Sequence, residues 1–230
     1  LAYSDITGAS SATYGPGALI ADTWYRRTAI STMGTNSCSA QSNIIKVTIN
    51  NFNQGSIRAD QTISDGGTPA LLTSVTPTGV AGSVFTYQWK DSPDGLTFSN
   101  IPGATLETSA PGVLTQDTWY KRIVTSTLSG KSCVTETHII KVTVINFLTG
   151  SISSDQTICS ATAPASFAGV APAGDGLFTI QWQNSHNGTT RWADNSGATT
   201  ATYSAGTLSA DSWFKRIITS TLNGVTSVKE

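Results

Sequence analysis

An all-β fold written in tandem copies is what this sequence predicts, on three observations. First, about ninety-five residues recur nearly three times: Asp22-Thr23-Trp24-Tyr25-Arg26-Arg27 returns as Asp117-Thr118-Trp119-Tyr120-Lys121-Arg122 and as Asp211-Ser212-Trp213-Phe214-Lys215-Arg216. That period exceeds the 20–50 residues of solenoid and propeller units, so each copy is expected to carry its own core. Second, 36 Thr and 29 Ser make up over a quarter of the 230 residues, while charged residues are only 12%. Third, Thr, Val, Ile and aromatics alternate in short runs that Gly and Pro interrupt, which suits half-buried strands.

The middle copy, residues 54–148, contains every segment. Its first strand is expected at 56–63 and a second at 70–75. Phe85, Tyr87 and Trp89 then alternate onto one face of a third strand, and Phe178, Ile180 and Trp182 repeat the pattern. Trp89 and Trp182 are thus expected in the core. Asp94-Gly95 and Asn187-Gly188 supply the following turn, because these residues tolerate positive φ. Short strands follow at 97–99 and 107–110, then longer ones at 119–125 and 138–145, where Ile140, Val142 and Val144 share a face.

Leu114 precedes Tyr120 by six residues, as Leu19 precedes Tyr25 and Leu208 precedes Phe214. That spacing matches a tyrosine corner, which turns Tyr120 inward and Trp119 outward with the Lys121 stem against it. Seven short strands with a Trp on the third read as tandem immunoglobulin-like β-sandwiches of about 95 residues, arranged end to end. At ~3.3 Å per strand residue, each would advance on the order of 35–45 Å.

Against this ruler, residues 1–53 hold only the C-terminal strands of a copy, and residues 149–230 stop before a last strand. The chain opens at Leu1 without Met or a signal peptide, so it reads as a window on a longer repeat array. A copy without its last strand also resembles the acceptor groove of donor-strand systems. The linkers, residues 50–54 and 146–149, are short and poor in Gly. Phe52 and Phe147 hold the same repeat position and are expected to wedge between copies, stiffening the array.

Net charge is −1, and six of the 13 basic residues belong to the repeated hexapeptide, so no nucleic-acid stripe is present. No apolar run is long enough to insert in a membrane as a helix. Cys38 and Cys133 share one repeat position. Cys159 holds another, whose middle-copy counterpart is Ser64, and Ser227 stands opposite Cys133. If the two positions pair in an ideal repeat, each copy has lost one partner and no disulfide is expected within the chain; alternatively all three are small buried residues.

Catalysis has little support. His138 and His186 occupy unrelated positions. Asp22, Asp117 and Asp211, like Asp60 and Asp155, recur where an Asx side chain would cap backbone. Asp91, Asp94 and Gly95 lack the ligand density of a calcium loop, and Asn184 and Asn187 replace the two acids in the third copy. Asn187-Gly188-Thr189 fits a glycosylation sequon. Trp24, Trp119 and Trp213 are the candidates for sugar stacking, against a structural ladder. The sequence thus implies no catalytic residue, no metal site and no cofactor, and it assigns no ligand-binding residue.

Gly150-Ser151-Ile152-x-x-Asp155-Gln156-Thr157-Ile158-Cys159, Gln181-Trp182-Gln183 with Trp192, and Gly197-Ala198-Thr199 with Tyr203 together resemble a known repeat. It is similar to the immunoglobulin-like repeats of very large Bacteroidetes cell-surface adhesins, the SprB-like gliding-motility adhesins. The resemblance covers the whole chain and is strongest over residues 150–230. It implies export by type IX secretion, display on the outer surface, and partners among neighbouring repeats, secretion or gliding machinery, and surface polysaccharide. Framework residues hold between copies while loops such as 78–82 and 173–176 drift. That favours a stalk over the alternative, an array of weak carbohydrate-binding modules.

Overall fold

The computed structural model describes residues 2–230, which form twenty strands and no helix. They divide into two compact units. One holds the chain up to Asn53 with Gly79–Val84 and Ser126–Cys133; the other holds Gln54–Thr78, Phe85–Thr125 and Val134–Glu230.

In the first unit, β1 (Thr23–Tyr25) pairs antiparallel with β4 (Ile45–Val47), and β2 (Thr28–Met33) with β3 (Asn36–Gln41). Both β2 and β3 are exposed throughout. β5 (Phe52–Asn53) follows. The Asn50 side chain donates to the Ser126 and Lys131 carbonyls and accepts from the Ser126 hydroxyl at 2.9 Å.

The middle copy is a two-layer sandwich. One layer pairs β6 (Ser56–Ile57) with β8 (Ser74–Val75) and joins Leu72 to Ser109 by a bridge. A two-residue strand, β9 (Thr78–Gly79), follows β8. The other layer runs β11 (Ser99–Asn100), β10 (Val84–Ser92), β12 (Thr118–Leu128), β14 (Ile140–Ile145), β7 (Gln61–Ser64), with β13 (Lys131–Glu136) also on β12. β7 is parallel to β14, with Val142 opposite Gln61 and Ile145 opposite Ser64. A first strand shared between both layers, a Trp on the third strand and a Leu–Tyr corner define an immunoglobulin-like sandwich.

The expected strand at 56–63 is therefore two strands, because the chain crosses from one layer to the other between Ile57 and Gln61. Asp60 marks the crossing and accepts the Lys141 N–H at 2.7 Å. The final strand, expected at 138–145, is β14 at Ile140–Ile145, and it is preceded by β13, where no strand was expected; between the two, the Thr137 hydroxyl accepts the Arg122 N–H. The core comprises Ile57, Leu72, Trp89, Tyr120, Ile140 and Val142. Trp89 is 0% exposed and its indole N–H donates to the Leu106 carbonyl. Truncating such a side chain costs about 3–5 kcal/mol.

The third copy repeats this plan in part. β15 (Phe147–Leu148) pairs with β16 (Ala173–Gly174), and β18 (Ala193–Asp194), β17 (Leu177–Ser185), β19 (Trp213–Leu222) and β20 (Val225–Lys229) form a four-stranded sheet. Trp182 is as buried as Trp89. The expected first strand is not formed: residues 151–163 make one isolated bridge, Ile152 to Gly169, with another at Thr162. Cys159 thus lies at a turn rather than on a strand. In copy two this segment pairs with β14, and residues 149–230 include no segment equivalent to β14.

Candidate binding face and the repeat junction

β12 sorts the hexapeptide by alternation. Tyr120, Arg122 and Val124 face inward, while Trp119, Lys121 and Ile123 face out. The corner expectation for Tyr120 holds, and burial pushes its hydroxyl up to about 12. The Lys121 stem, however, does not cover Trp119. Lys121 lies 4.5 Å over Phe98, and it is Lys141 that lies 4.9 Å over Trp119.

This outer face repeats. Arg26 covers Tyr3 at 4.1 Å and Lys215 covers Trp192 at 4.6 Å, each at the Lys121–Phe98 position. Lys46 covers Trp24 at 5.0 Å. The ammonium groups are also paired: Lys46 with Asp22 at 2.7 Å, Lys141 with Asp117 at 2.6 Å, and Lys121 with Glu136 at 2.8 Å; Lys215 pairs with Glu230. Lys46 and the Ile49 N–H hold the Asp22 carboxyl below its usual range. Surface pairs and exposed cation–π contacts contribute about 0–1 kcal/mol each, so the ladder orients more than it stabilises.

Glycine backs the tryptophans. A Cβ on Gly95 (φ +72°) would lie 3.2 Å from the Trp119 ring, and one on Gly188 (φ +71°) 2.8 Å from Trp213. Both turns are held by an Asx cap. Asp94 Oδ1 accepts from Ser92 Oγ and from the Leu96 and Thr97 N–H groups, which lowers its carboxyl to about 2. Asn187 Oδ1 makes the same bonds to Ser185, Thr189 and Thr190. One acceptor oxygen suffices, which explains why Asp and Asn interchange here. It also commits Asp94 to the turn rather than to a cation.

Arg122 is a core residue, on the same inward face as Tyr120. It is fully buried, donates to the Glu107 and Gln54 carbonyls at 2.7 and 3.2 Å, and lies 4.8 Å over Tyr87. Arg216 donates to the Thr149 and Val170 carbonyls at 2.7 and 2.8 Å. Desolvation lowers both guanidinium pKa values, yet each pins the first residues of its copy to β12 or β19. The recurrence of this Arg in every copy was the available signal.

The junction of copies two and three is a shared core. Ile145 and Phe147 cluster with Ile218, Phe178, Ile180, Leu222 and Val225. The Phe147 and Phe178 rings are 5.7 Å apart. Lys229 lies over Phe147 and donates to its carbonyl and to Asp65, while Asn223 donates to Thr62 at 3.0 Å. Asp175 accepts the Asn146 N–H, and its own N–H donates back to the Asn146 carbonyl. Phe147, 5% exposed, is therefore a core residue and not merely a wedge. Phe52 is half-buried.

His138 and His186 are exposed, and the three cysteines are unpaired and exposed, which corrects the buried alternative. Among the described residues no cluster of His, Cys, Asp and Glu could hold a metal.

Among solved structures, the chain is similar to domains A168–A170 from titin, at 12% identity and a TM-score of 0.37, over 89% of this chain and 70% of that one. The fold assignment rests on the strand topology and not on that match. No curated protein matches the sequence. Residues 1–51, 53–146 and 148–229 each match the model of a family described as a domain of unknown function, DUF8696, and the chain belongs to that family.

Proposed function

We propose that this chain is a non-catalytic repeat segment of a large cell-surface adhesin, in which successive sandwiches form an extended stalk for attachment or gliding. The observation that carries the reading is the junction at Phe147. The linker is not a free spacer but part of the next copy's core, clamped by Lys229 and Asp175. A joint of that kind transmits force and limits bending, which a stalk requires and a monomeric enzyme does not. Export by type IX secretion and an extracellular, outer-membrane-associated location belong to the same proposal, with neighbouring repeats and the gliding or secretion machinery as partners.

An array of weak carbohydrate-binding modules is the alternative, with Trp24, Trp119 and Trp213 as stacking platforms and avidity supplying affinity. Lys46, Lys141 and the two turn glycines already occupy ring surface on these residues, so the ladder reading is preferred. Small-angle scattering of the 230-residue protein tests the stalk, which predicts a maximum dimension well beyond that of a sphere of equal mass. A globular profile overturns it.

A further inference from the structure

β20 of copy three lies along the end of β7 of copy two. Asn223 donates to the Thr62 hydroxyl at one end of this contact, and the Lys229 ammonium meets the Asp65 carboxylate at 3.3 Å at the other. Between those two points stand Ser227 and Ser64. Alternation along β20 puts Ser227 on the face of Val225 and Lys229, which pack on the Ile145–Phe147 cluster. Ser227 is buried, while Thr226 and Val228 on either side of it are exposed. On β7, Ser64 is the ladder partner of Ile145 and so shares the face that meets copy three. The two serines therefore close on one another across the joint.

These are the two cysteine positions of the repeat. Cys159 stands where Ser64 does, and Cys38 and Cys133 stand where Ser227 does. The flanking residues change with them. Asp65 follows Ser64, but Ser160 follows Cys159. Lys229 lies two residues after Ser227, but Thr135 and Ala40 lie two residues after Cys133 and Cys38. The acid and the base that clamp the joint are thus written beside the serines and not beside the cysteines.

Within one copy the same positions cannot meet. In copy three the Cys159 carbonyl accepts from Thr162, which bridges to Leu208 ahead of β19, whereas Ser227 is paired with Ser220 near the other end of that strand. The stretch of β19 from Trp213 to Ser220 alone spans ~23 Å at ~3.3 Å per residue. A disulfide needs Cα atoms within about 7 Å.

We propose that positions 64 and 227 are the two halves of a disulfide site between consecutive copies, in which a cysteine placed as Cys159 is bonds to one placed as Cys133 is in the copy packed after it. At the joint of copies two and three the Asp65–Lys229 pair stands in for that bond. Formation draws on an oxidant of the disulfide class. One thiolate attacks the oxidant's S–S bond and releases a thiol, and the second thiolate displaces the remaining half. Two S–H bonds are thereby exchanged for one S–S bond, and two reagent thiols leave. The assignment concerns the joint alone and does not rest on the stalk reading.

Oxidation by glutathione disulfide, read by non-reducing peptide mapping, tests it in three variants of the 230-residue protein. Ser64→Cys combined with Ser227→Cys is expected to link the two substituted positions, with loss of both thiols. Ser64→Cys alone gives copy two both cysteine positions and is expected to form no bond to Cys133. Ser227→Cys alone does the same for copy three and is expected to form no bond to Cys159. A bond within one copy in either single variant overturns the proposal. So does a double variant that melts with the unaltered protein yet stays unlinked. Carbodiimide coupling of the unaltered chain reads the same contact without substitution: an Asp65–Lys229 amide is expected, and its absence overturns the proposal.

Discussion

Copies two and three share their first-strand motif, Gly-Ser-Ile-x-x-Asp-Gln-Thr-Ile, and their Trp-aromatic-basic-Arg strand, yet one buries its first strand and the other leaves it bare. Ile57 is 2% exposed in β6; its counterpart Ile152 is 38% exposed. Gln61–Ser64 forms β7, whereas the equivalent Gln-Thr-Ile-Cys at 156–159 joins no ladder. The difference is β14. Four residues of parallel ladder and the side chains of Ile140 and Val142 decide whether the motif is a strand. Local sequence fixes which residues can alternate, and tertiary partnership fixes whether they do.

The largest expected effect removes that partner from copy two. Val142, fully buried, should not tolerate an acid: Val142→Asp is expected to cost about 3–5 kcal/mol, as an uncompensated buried charge does. Urea unfolding should then show copy two melting before copy three. An unchanged midpoint would break the comparison. Trp89→Ala should cost a similar ~3–5 kcal/mol, and Trp182→Ala less, because residues 149–230 include no counterpart of β14 and the aromatic cluster of Phe167, Tyr203 and Phe214 can relax. Equal losses, measured by chemical denaturation, would show that β14 makes no difference to that freedom.

Phe147→Ala is next, at roughly 2–4 kcal/mol for its share of the copy-three cluster. It should lower the thermal midpoint of copy three as well as loosen the joint. A variant that bends more but melts normally would restore the simple wedge. The smallest effect separates the two turns by acid. Asp94 has a folded pKa lowered from 3.8 to about 2. Its contribution is therefore present above pH ~4 and is lost as pH falls toward 2. Asn187 cannot titrate, so acid should weaken the copy-two turn alone, and Asp94→Asn should abolish the difference in a calorimetric pH series.

Much of this was legible. The 95-residue period, the buried Trp89 and Trp182, and the inward Tyr120 follow from spacing and alternation. Three things were not. Arg122 and Arg216 are core residues because carbonyls and rings close around the guanidinium, which no charge count reveals. Lys141 rather than Lys121 covers Trp119, because the register of β12 on β14 places Trp119 opposite Lys141. The two-layer crossing at Asp60 depends on a strand eighty residues away in sequence.

Amide hydrogen exchange on the 230-residue protein, read at residues 61–64 and 156–159, tests the central claim that β14 makes the strand. The expected result is strong protection at Thr62–Ser64 and exchange near the unprotected rate at Thr157–Cys159. Adding the peptide of residues 138–146 should bring the second segment toward the first. Equal protection of the two segments without peptide would contradict the account, because the motif would then form its strand without a partner.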